Sequence, residues 1–341
     1  MTKPLVSISC ITYNHINFIR DAIEGFLMQK TNFPFEILIH DDYSTDGTED
    51  VIREYEKKYP DIIKPIYEKE NQWSKGIRGS LVFNFPRAQG KYMALCEGDD
   101  YWTDPLKLQK QVDFLEANPD FSVCFHPVKV IQEDGSKPDE IFPSFEHRFK
   151  KDVLGLEDLL VHNFIQTNSV MYRWRFVNEN IKDFFPKDIL PGDWFLHMLH
   201  AQKGKIGFID EVMAVYRRHK DGLWWESDKN ADILHLKHGI QELNFHENVY
   251  KIFANSSKQY FESKVLPFAR YIMNLFLVHK EFDKLKEFSE LYKNYYERIL
   301  KEMQSNSQDI QQKDQEIQNM KSSKFWKLQE KYMKLRSKFI K

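Results

Sequence analysis

The chain has 341 residues, of which 42% are hydrophobic and 15% aromatic, so it can bury a large core and form more than one structural unit. Its 49 Lys and Arg residues nearly balance its 51 Asp and Glu residues, and the net charge of -2 gives no signature of a nucleic-acid-binding protein. No apolar run reaches the roughly 20 residues of a membrane span, and the first residues lack the apolar stretch of a signal peptide.

The three cysteines, Cys10, Cys96 and Cys124, all fall in apolar runs that resemble strands. This placement predicts reduced core thiols rather than a disulfide framework, and therefore a reducing compartment. We expect a cytoplasmic protein whose contact with the cell membrane, where it has one, is peripheral and at the inner face.

Strand and helix patterns alternate along the first part of the chain. The predicted strands are residues 5–11, 35–40, 63–67, 92–96 and 121–126, and the predicted helices are residues 17–29, 48–58, 80–88 and 106–117. Glu49 and Asp50 follow Thr48 at a helix start, and Asp104 with Pro105 gives another start signal. Pro86 argues against one unbroken helix over residues 80–88. The alternation predicts an α/β fold with a mostly parallel central sheet flanked by helices.

The second part of the chain is less regular. Residues 149–162 look partly helical, residues 167–172, 205–209 and 213–218 are predicted strands, and residues 193–201 are a predicted helix. Beyond about residue 225 the pattern is helical. We therefore expect a main domain over residues 1–225, a helical appendage over residues 226–302, and a helical spacer with a basic amphipathic tail over residues 303–341.

Three carboxylates, Glu97, Asp99 and Asp100, lie within four residues at the end of a predicted strand. Like charges this close repel unless a cation or hydrogen-bond donors offset them. A divalent Mg²⁺ or Mn²⁺ ion does so through oxygen ligands and keeps positions open for phosphate oxygens. The ends of two other strands carry further polar sets, namely Thr12, Tyr13 and Asn14, then Asp41 and Asp42. Because ligands bind beyond the carboxyl ends of strands in such sheets, the three sets predict one binding site.

Four stretches, in order along the chain, carry a resemblance to a known family. They are residues 6–14 (Val-Ser-Ile-Ser-Cys-Ile-Thr-Tyr-Asn), residues 41–48 (Asp-Asp-Tyr-Ser-Thr-Asp-Gly-Thr), residues 88–100, which end in Glu-Gly-Asp-Asp, and residues 215–219 (Val-Tyr-Arg-Arg-His). They resemble the first strand, the second-strand loop, the DXD-type metal motif and the late Tyr-Arg-x-His element of family 2 glycosyltransferases of the GT-A fold. The resemblance covers about residues 1–220.

That resemblance implies a metal-dependent, inverting transfer of a sugar from a nucleotide-sugar, most often a UDP-sugar. The expected acceptor, a hydroxyl of a glycan or lipid-linked glycan in surface polysaccharide synthesis, is inferred from the last segment of the chain, described below. The resemblance places Thr12, Tyr13 and Asp42 around the base and ribose, where a carboxylate can accept the uracil N–H and an aromatic ring can stack. The other residues expected to bind the nucleotide-sugar are Asn14, Asp41, Arg78 and Asp99.

The resemblance also implies that Asp99, Asp100 and His219 hold Mn²⁺ or Mg²⁺ against the donor diphosphate, whose charge the metal neutralises. Glu97 stands where many members have the first Asp of the motif. The sequence therefore leaves open which of the three carboxylates binds the metal directly. Arg217 or Arg218 can add positive charge at the same place, although a surface role suits either arginine as well.

Asp193 is the predicted catalytic base, which takes the proton of the acceptor hydroxyl. It lies in Pro-Gly-Asp-Trp-Phe at a helix start and matches the Gly-Asp element of the family. The same carboxylate can cap that helix, and the two roles are compatible. Trp102, Asn168 and Trp194 are predicted to line the acceptor side, although a Trp beside a strand or helix is often a core residue.

The last segment, residues 321–341, carries eight Lys and Arg residues opposed by Glu330 alone. Its apolar side chains share one helical face and include Phe325, Leu328 and Tyr332. A basic amphipathic helix of this kind is typical of an anionic membrane surface, where a lipid-linked acceptor would lie. The alternative is a helix that packs on its own domain or on a second copy in a homo-oligomer.

Two other functions compete with the transferase. A sugar nucleotidyltransferase uses a related sheet and metal site, but it usually carries a Gly-rich loop that residues 9–14 lack. A non-catalytic, membrane-tethered partner of a glycan-assembly complex would have no use for the acids at positions 42, 99, 100 and 193. The donor sugar, the acceptor and the linkage do not follow from the sequence.

Overall fold

The computed structural model describes residues 3–144, 153–176, 180–225, 230–299 and 301. The chain divides into two compact units, Met1–Val265 and Leu266–Lys341. The described strands are β1 (Val6–Thr12), β2 (Phe35–Asp41), β3 (Ile63–Tyr67), β4 (Tyr92–Leu95), β5 (Tyr101–Trp102), β6 (Phe121–Phe125), β7 (Val128–Gln132), β8 (Glu140–Phe142), β9 (Met171–Arg173), β10 (Lys205–Phe208) and β11 (Ala214–Arg218). The described α-helices are α1 (Ile19–Leu27), α2 (Thr48–Lys58), α3 (Phe85–Arg87), α4 (Lys107–Ala117), α5 (Leu156–Leu159), α6 (Gly192–Ala201), α7 (Ala231–Ile252), α8 (Lys258–Tyr260), α9 (Leu266–Val278) and α10 (Phe282–Leu291).

A seven-stranded sheet forms the centre of the first unit, in the order β10-β6-β9-β4-β1-β2-β3. β1 pairs in parallel with β2 and β4, β2 with β3, and β6 with β10, while β9 runs antiparallel between β4 and β6. Ile8 and Cys10 of β1 and Ile37 and Ile39 of β2 are fully buried. Strands buried on both faces read as nearly continuous apolar runs, which is why these were visible in the sequence. The predicted α/β fold with a mostly parallel sheet is confirmed.

A second sheet of four strands, in the order β5-β11-β7-β8, was not predicted. Only β11 was expected among its members. β5 has two residues and β8 has three, and segments this short give no periodic signal. β11 pairs with β5 antiparallel and with β7 in parallel. β5, the first strand of this sheet along the chain, directly follows the acidic turn after β4. The sheet therefore helps to position the site described below.

Most predicted elements lie within two residues of the observed ones, and two differ in kind. Residues 80–88 begin as a π-helical turn, Ser80–Asn84, and end as α3, with Pro86 in the first turn of α3. The predicted strand over residues 167–172 is wrong in its first half, because Thr167–Ser169 is a 3-10 turn and β9 starts at Met171. The Ser169 hydroxyl donates to the Gln166 carbonyl, which curls the backbone there.

Cys10, Cys96 and Cys124 are buried free thiols, as predicted. In the second unit α9 and α10 pack against each other, and α9 buries Ile272, Met273 and Phe276. Within the described residues, no helix combines the length and the apolar character needed to cross a bilayer. The predicted spacer and amphipathic tail over residues 303–341 lie outside the described residues.

Candidate active site

The acidic turn that follows β4 lies against the end of β1. The Cys96 N–H donates to the Ser9 carbonyl at 3.2 Å, and the Gly98 N–H donates to the Ile11 carbonyl at 2.9 Å. Burial, with the nearby carboxylates of Asp99 and then Asp193, raises the pKa of Glu97 to about 8. The turn therefore holds neighbouring carboxyl groups away from solvent, and a bound cation would reduce the repulsion between them.

Asp99 faces two histidines from other parts of the chain. Its Oδ2 lies 3.0 Å from Nε2 of His219 and 3.8 Å from Nε2 of His15. Burial works to raise the pKa of Asp99, but the hydrogen bond to His219 and the charge of His15 outweigh it and lower that pKa. Each of the three residues can offer one ligand atom, and these atoms lie within 4.8 Å of one another. The arrangement can hold a cation.

Asp100 sits behind Asp99 and is 1% exposed. Its Oδ1 accepts the backbone N–H of Arg217 at 2.8 Å, because β5 and β11 pair in a register that brings these residues together. Burial, followed by the charge of Asp99, raises the pKa of Asp100 well above its usual range. The Arg217 guanidinium donates to the Asp99 carbonyl at 3.0 Å and forms an ion pair with Asp21. Arg217 therefore stabilises the turn, and its guanidinium contacts the Asp99 carbonyl and the Asp21 carboxylate.

Several buried oxygens around this turn have no hydrogen-bond partner among the described residues. They are Thr12 Oγ1, Asp99 Oδ1 and Asp100 Oδ2. A buried oxygen without a hydrogen-bond partner costs free energy in the folded state. Three such oxygens close together are typical of a site where a cation or a ligand binds. The predicted metal ligands Asp99, Asp100 and His219 thus lie together, with Asp99 and His219 in direct contact.

The loops after β1 and β2 are tied to each other through Asn14, Ser44 and Asp41. The Asn14 N–H donates to Ser44 Oγ, and the Asn14 side-chain oxygen accepts the Thr45 N–H, each at 2.8 Å. Asn14 has a φ of +53°, a left-handed conformation that suits Asn. Asp41 is fully buried and accepts the hydroxyl and N–H of Ser44. Asn14 and Asp41 therefore shape the loops of the predicted nucleotide site.

Asp42 fixes the next part of the same edge. Its carboxylate accepts the N–H of Gln72 at 2.6 Å and the N–H of Trp73 at 3.0 Å, while its own N–H donates to the Thr12 carbonyl. Three aromatic side chains on and beside these residues are about half exposed: Tyr13 (45%), Tyr43 (46%) and Trp73 (50%). The edge thus presents aromatic surface next to an anchored carboxylate, a combination that suits a nucleoside.

Arg78 approaches the backbone just before Asp193. A Cβ on Gly192 would lie 2.2 Å from Nη1 of Arg78, so the absence of a side chain makes room for the guanidinium. The cation lies 5.9 Å from the Trp73 ring and 5.6 Å from the Phe185 ring. Burial lowers the pKa of Arg78, and the charge of Asp193 opposes this. Arg78 thus spans from the aromatic edge to the predicted base.

Asp193 is the second residue of α6 and accepts the Thr167 hydroxyl at 3.1 Å. The N-cap position of α6 is Pro191, and no side chain caps the helix, so Asp193 does not act as its cap. Its charge contributes to the raised pKa of Glu97, which places the carboxylate within electrostatic reach of the acidic turn. The charge of the predicted base is therefore felt at the acidic turn.

The predicted acceptor residues are distributed differently. Trp102 is 2% exposed, its indole N–H donates to the Asn168 carbonyl, and its ring packs on Phe26. Asn168 is fully buried and donates to the Val215 carbonyl. Burial makes both of these core residues rather than acceptor-lining ones. Trp194 is half-buried, with its indole N–H donated to the Leu159 carbonyl, and it remains a predicted acceptor residue.

Residues 7–176 match the family described as Glycosyl transferase family 2. The chain belongs to this family. An uncharacterised protein of Mycobacterium tuberculosis is 48% identical to this family 2 chain over 219 residues, which are 64% of this chain and 60% of that protein. A Bacillus subtilis protein provisionally named a teichuronic acid biosynthesis glycosyltransferase, TuaG, is 35% identical over 153 residues, 45% of this chain and 58% of TuaG. The matches thus cover less than two thirds of either relative.

A solved structure supports the fold of this family 2 chain. The mannosyltransferase PcManGT from Pyrobaculum calidifontis, in complex with GDP-Man and Mn²⁺, has a TM-score of 0.52 and 17% identity, and the comparison covers 88% of this chain and 84% of PcManGT. Together with the mostly parallel sheet, this identifies the fold as GT-A with C-terminal helices.

Sequence reasoning missed one member of the charged cluster in this family 2 chain. His15 directly follows the Thr-Tyr-Asn set at the end of β1, and no spacing rule links it to Asp99 or His219. The one indication in the sequence is that His15 comes directly after Thr12, Tyr13 and Asn14, which are predicted site residues. Arg217 was found in the sequence, but its ion pair with Asp21, 196 positions away, was not predictable from local pattern.

Proposed function

We propose that this chain is a metal-dependent, inverting glycosyltransferase that moves a sugar from a UDP-sugar to a hydroxyl of a glycan or lipid-linked acceptor. One observation carries the proposal most strongly. Asp99 Oδ2 lies 3.0 Å from His219 Nε2, and the buried oxygens Asp99 Oδ1 and Asp100 Oδ2 have no hydrogen-bond partner among the described residues, which fits a divalent cation beside a donor diphosphate. A transferase also needs a base for the acceptor hydroxyl, and Asp193 is proposed for that role.

The donor half of the site is assigned to the edge formed by β1 and β2. Tyr13 and Trp73 offer half-exposed rings for stacking on the base, and the anchored carboxylate of Asp42 keeps lone pairs for the uracil N–H or a ribose hydroxyl. Arg78 supplies positive charge between this edge and Asp193. A uridine nucleotide is proposed from the resemblance of the motifs, and GDP is the first alternative because PcManGT is complexed with GDP-Man.

Asp99 and His219, with Asp100 behind them, would hold a divalent cation. The buried, unpartnered oxygens of Asp99 and Asp100 fit that assignment. When bound, the ion neutralises the diphosphate that leaves with the electron pair of the breaking bond. Arg217 keeps the turn in place through its contacts with Asp99 and Asp100.

Asp193 would take the proton from the acceptor hydroxyl as its oxygen forms the new bond to the anomeric carbon. The bond from that carbon to the diphosphate oxygen breaks on the opposite face, so the configuration inverts. The Thr167 hydroxyl donates to Asp193 Oδ2 and orients the carboxylate, which leaves its other oxygen available to the acceptor. Trp194, the next residue of α6, is partly exposed and is proposed to contact the acceptor.

The proposed acceptor is a glycan or lipid-linked glycan that is extended during surface polysaccharide synthesis at the inner face of the cell membrane. TuaG, which is named for teichuronic acid biosynthesis, supports this assignment, as does the basic pattern of residues 321–341. The proposed location is therefore cytoplasmic and peripheral to the membrane.

The test is calorimetric titration of UDP, with GDP and TDP as controls, with and without Mn²⁺, followed by a screen of UDP-sugars for hydrolysis and transfer. We expect metal-dependent UDP binding. Asp193→Asn should bind UDP within about twofold of the parent and lose transfer by about a hundredfold or more, since a general base contributes that much. The matched control is Asp183→Asn, which changes an exposed carboxylate and should leave both unchanged.

Either half of the proposal can fail by itself. Transfer retained by Asp193→Asn removes that residue from the base role. Turnover without a divalent ion refutes the metal site. If the protein binds none of the three nucleotides under either condition, the non-catalytic partner becomes the better account.

A further inference from the structure

The candidate metal side contains a second imidazole that the motifs did not indicate. His15 lies in the loop between β1 and α1, where its carbonyl accepts the N–H groups of Phe18 and Ile19 at 2.9 and 2.8 Å. These contacts fix its backbone at the start of α1. Its Nε2 lies 3.8 Å from Asp99 Oδ2. The side chain is therefore held in place before any ligand arrives.

The spacing of the three side chains suits a single ion. Ligands at about 2.1 Å from one ion lie about 3.0 Å apart at a right angle and about 3.4 Å apart in a tetrahedron. The distances from Asp99 Oδ2 to His219 Nε2 and His15 Nε2 are 3.0 and 3.8 Å. The shorter distance equals the right-angle separation, and the longer one exceeds the tetrahedral separation by about 0.4 Å, so small side-chain adjustments bring the three atoms around one ion.

Phe18 lies beside both imidazoles. Its ring centroid lies 4.7 Å from that of His219 and 6.2 Å from that of His15, and the two imidazole planes are nearly perpendicular, at 88°. Rings in this arrangement do not stack on each other, and each has its Nε2 within 4 Å of Asp99 Oδ2. In addition, Asp99 Oδ1 has no hydrogen-bond partner among the described residues. The carboxylate therefore keeps an oxygen for a further contact.

We propose that His15 is a third protein ligand of the metal and that the resulting set, two imidazole nitrogens and one carboxylate, selects a first-row transition-metal ion over Mg²⁺. This inference rests on the proposed function and specifies the cation of that site. Mg²⁺ prefers oxygen ligands and gives up its water reluctantly, whereas imidazole nitrogen suits later divalent ions, whose affinity rises from Mn²⁺ to Co²⁺. His15 is thus the residue that determines metal preference.

The experiment is direct titration of Mg²⁺, Mn²⁺ and Co²⁺ into the metal-free full-length protein, alone and with UDP, combined with the visible absorption spectrum of the Co²⁺ form. We expect affinity in the order Co²⁺, Mn²⁺, Mg²⁺. His15→Gln should weaken Co²⁺ and Mn²⁺ binding by about tenfold or more, because even an outer-shell change costs that much, while Mg²⁺ binding changes far less. The Co²⁺ spectrum should change as one nitrogen ligand is lost.

Two further variants make the result decisive. His162→Gln removes an exposed imidazole outside the cluster and should match the parent. His15→Glu replaces the nitrogen by a carboxylate and should raise the affinity for Mg²⁺ relative to Co²⁺. This variant tests the preference even where His15→Gln lowers stability, since a folding defect weakens binding of all three ions together.

The outcomes separate this inference from the proposed function. Co²⁺ and Mn²⁺ affinities of His15→Gln within about twofold of the parent, with an unchanged Co²⁺ spectrum, overturn the role of His15. If Asp99→Asn abolishes metal binding in that same series, the metal site and the proposed transferase stand without it. Equal affinity of the parent for Mg²⁺ and Co²⁺ also overturns the inference, whichever ion supports activity.

Discussion

Gly98 shows how closely β1 approaches the acidic turn. A Cβ at this position would lie 2.6 Å from Thr12 Oγ1 and 3.1 Å from His15 Nδ1. The first distance is shorter than real Cβ contacts, so any side chain at position 98 must push the turn and β1 apart. The glycine therefore permits the proximity on which the cluster of His15, Asp99 and His219 depends.

Gly98→Ala should accordingly damage ligand binding more than folding. Because Asp99 is the next residue, a displacement of the turn moves its carboxylate away from His219, and we expect metal-dependent UDP binding to weaken by about tenfold or more. The free energy of unfolding should fall by about 1–3 kcal/mol, as for other overpacked positions. Calorimetry with UDP and Mn²⁺, together with urea unfolding, measures both quantities.

The matched control is Gly135→Ala. Gly135 has a φ of +66° and no neighbour within 4 Å of a built Cβ, so its substitution strains the backbone without crowding any side chain. That variant should lose stability and keep its UDP affinity. If Gly98→Ala binds UDP as tightly as the control does, the close approach is not needed for the site.

Helix α6 joins the candidate base to a buried pair of histidines. Asp193 lies in its first turn, and His197 and His200 face the core from the following turns. His197 Nδ1 lies 2.6 Å from the Tyr172 hydroxyl, and the His200 ring stacks on Tyr172 at 4.2 Å between centroids. Burial lowers the pKa of His197 to about 4 and that of His200 to about 3. Both are therefore packing residues that stay neutral in the folded protein.

This gives the folded protein a defined sensitivity to acid. A histidine with a lowered folded pKa stays neutral while the unfolded chain takes up a proton below about pH 6.5, so stability is complete above that pH and is lost as the pH falls towards the folded pKa. His200→Phe keeps an aromatic ring and removes one of these protons. Between pH 7.5 and 5 the variant should lose about 2 kcal/mol less unfolding free energy than the parent.

Urea unfolding at several pH values measures that difference. His162→Gln removes an exposed histidine and should follow the parent curve. A His200→Phe curve that runs parallel to the parent between pH 7.5 and 5 would show that His200 does not titrate in this way. The slope is compared rather than the absolute stability, since the change of ring also alters packing.

How far the sequence predicts an element depends on whether its signals are local. The predicted bounds of α2 and β3, residues 48–58 and 63–67, agree with the structure, because acids in the first turn and an apolar run are properties of the segment itself. The four-stranded sheet was missed because β5 acquires its strand character only by pairing with β11, over 100 residues later. The predicted strand at residues 167–172 is wrong in its first half because the side-chain to backbone bond of Ser169 stabilises a turn there, in place of a strand.

The same distinction holds for the site. Asp99, Asp100 and Asp193 stand in motifs that can be read from the sequence. His15 becomes part of the cluster only because parallel pairing aligns β1 with β4 and Gly98 allows contact. Trp102 and Asn168 are predicted from the sequence to line the acceptor side, and their burial, at 2% and 0% exposure, could be known only from the packing.

Charge is distributed unevenly along the chain. Residues 321–341 carry eight basic residues and one acid, a net charge of +7, so the remaining residues carry -9 in a chain whose total is -2. An anionic membrane would repel the acidic remainder and attract the terminal segment, with each Lys or Arg near the surface contributing about 1 kcal/mol. Any association with such a membrane should therefore depend on this segment and weaken with salt.

Deletion of residues 321–341 should release the protein from vesicles that contain anionic lipid, and should leave metal-dependent UDP binding unchanged because the candidate site lies within residues 12–219. Co-sedimentation with vesicles at low and high salt measures the first quantity, and calorimetry measures the second. The matched variant changes Lys324, Lys327, Lys331 and Lys334 to Gln, which keeps the apolar residues and removes four charges. It should bind anionic vesicles far more weakly than the parent and neutral vesicles equally.

Equal sedimentation of the parent and the truncated chain would assign the segment to protein packing, and a change in the oligomeric state on truncation would then identify a second copy as its partner. Loss of vesicle binding on truncation, combined with full binding by the four-Gln variant, would point to apolar insertion rather than charge. We predict that both variants lose vesicle binding and keep their UDP affinity. This result would show that membrane recruitment depends on the charge of residues 321–341, whereas nucleotide binding depends on the edge of the central sheet.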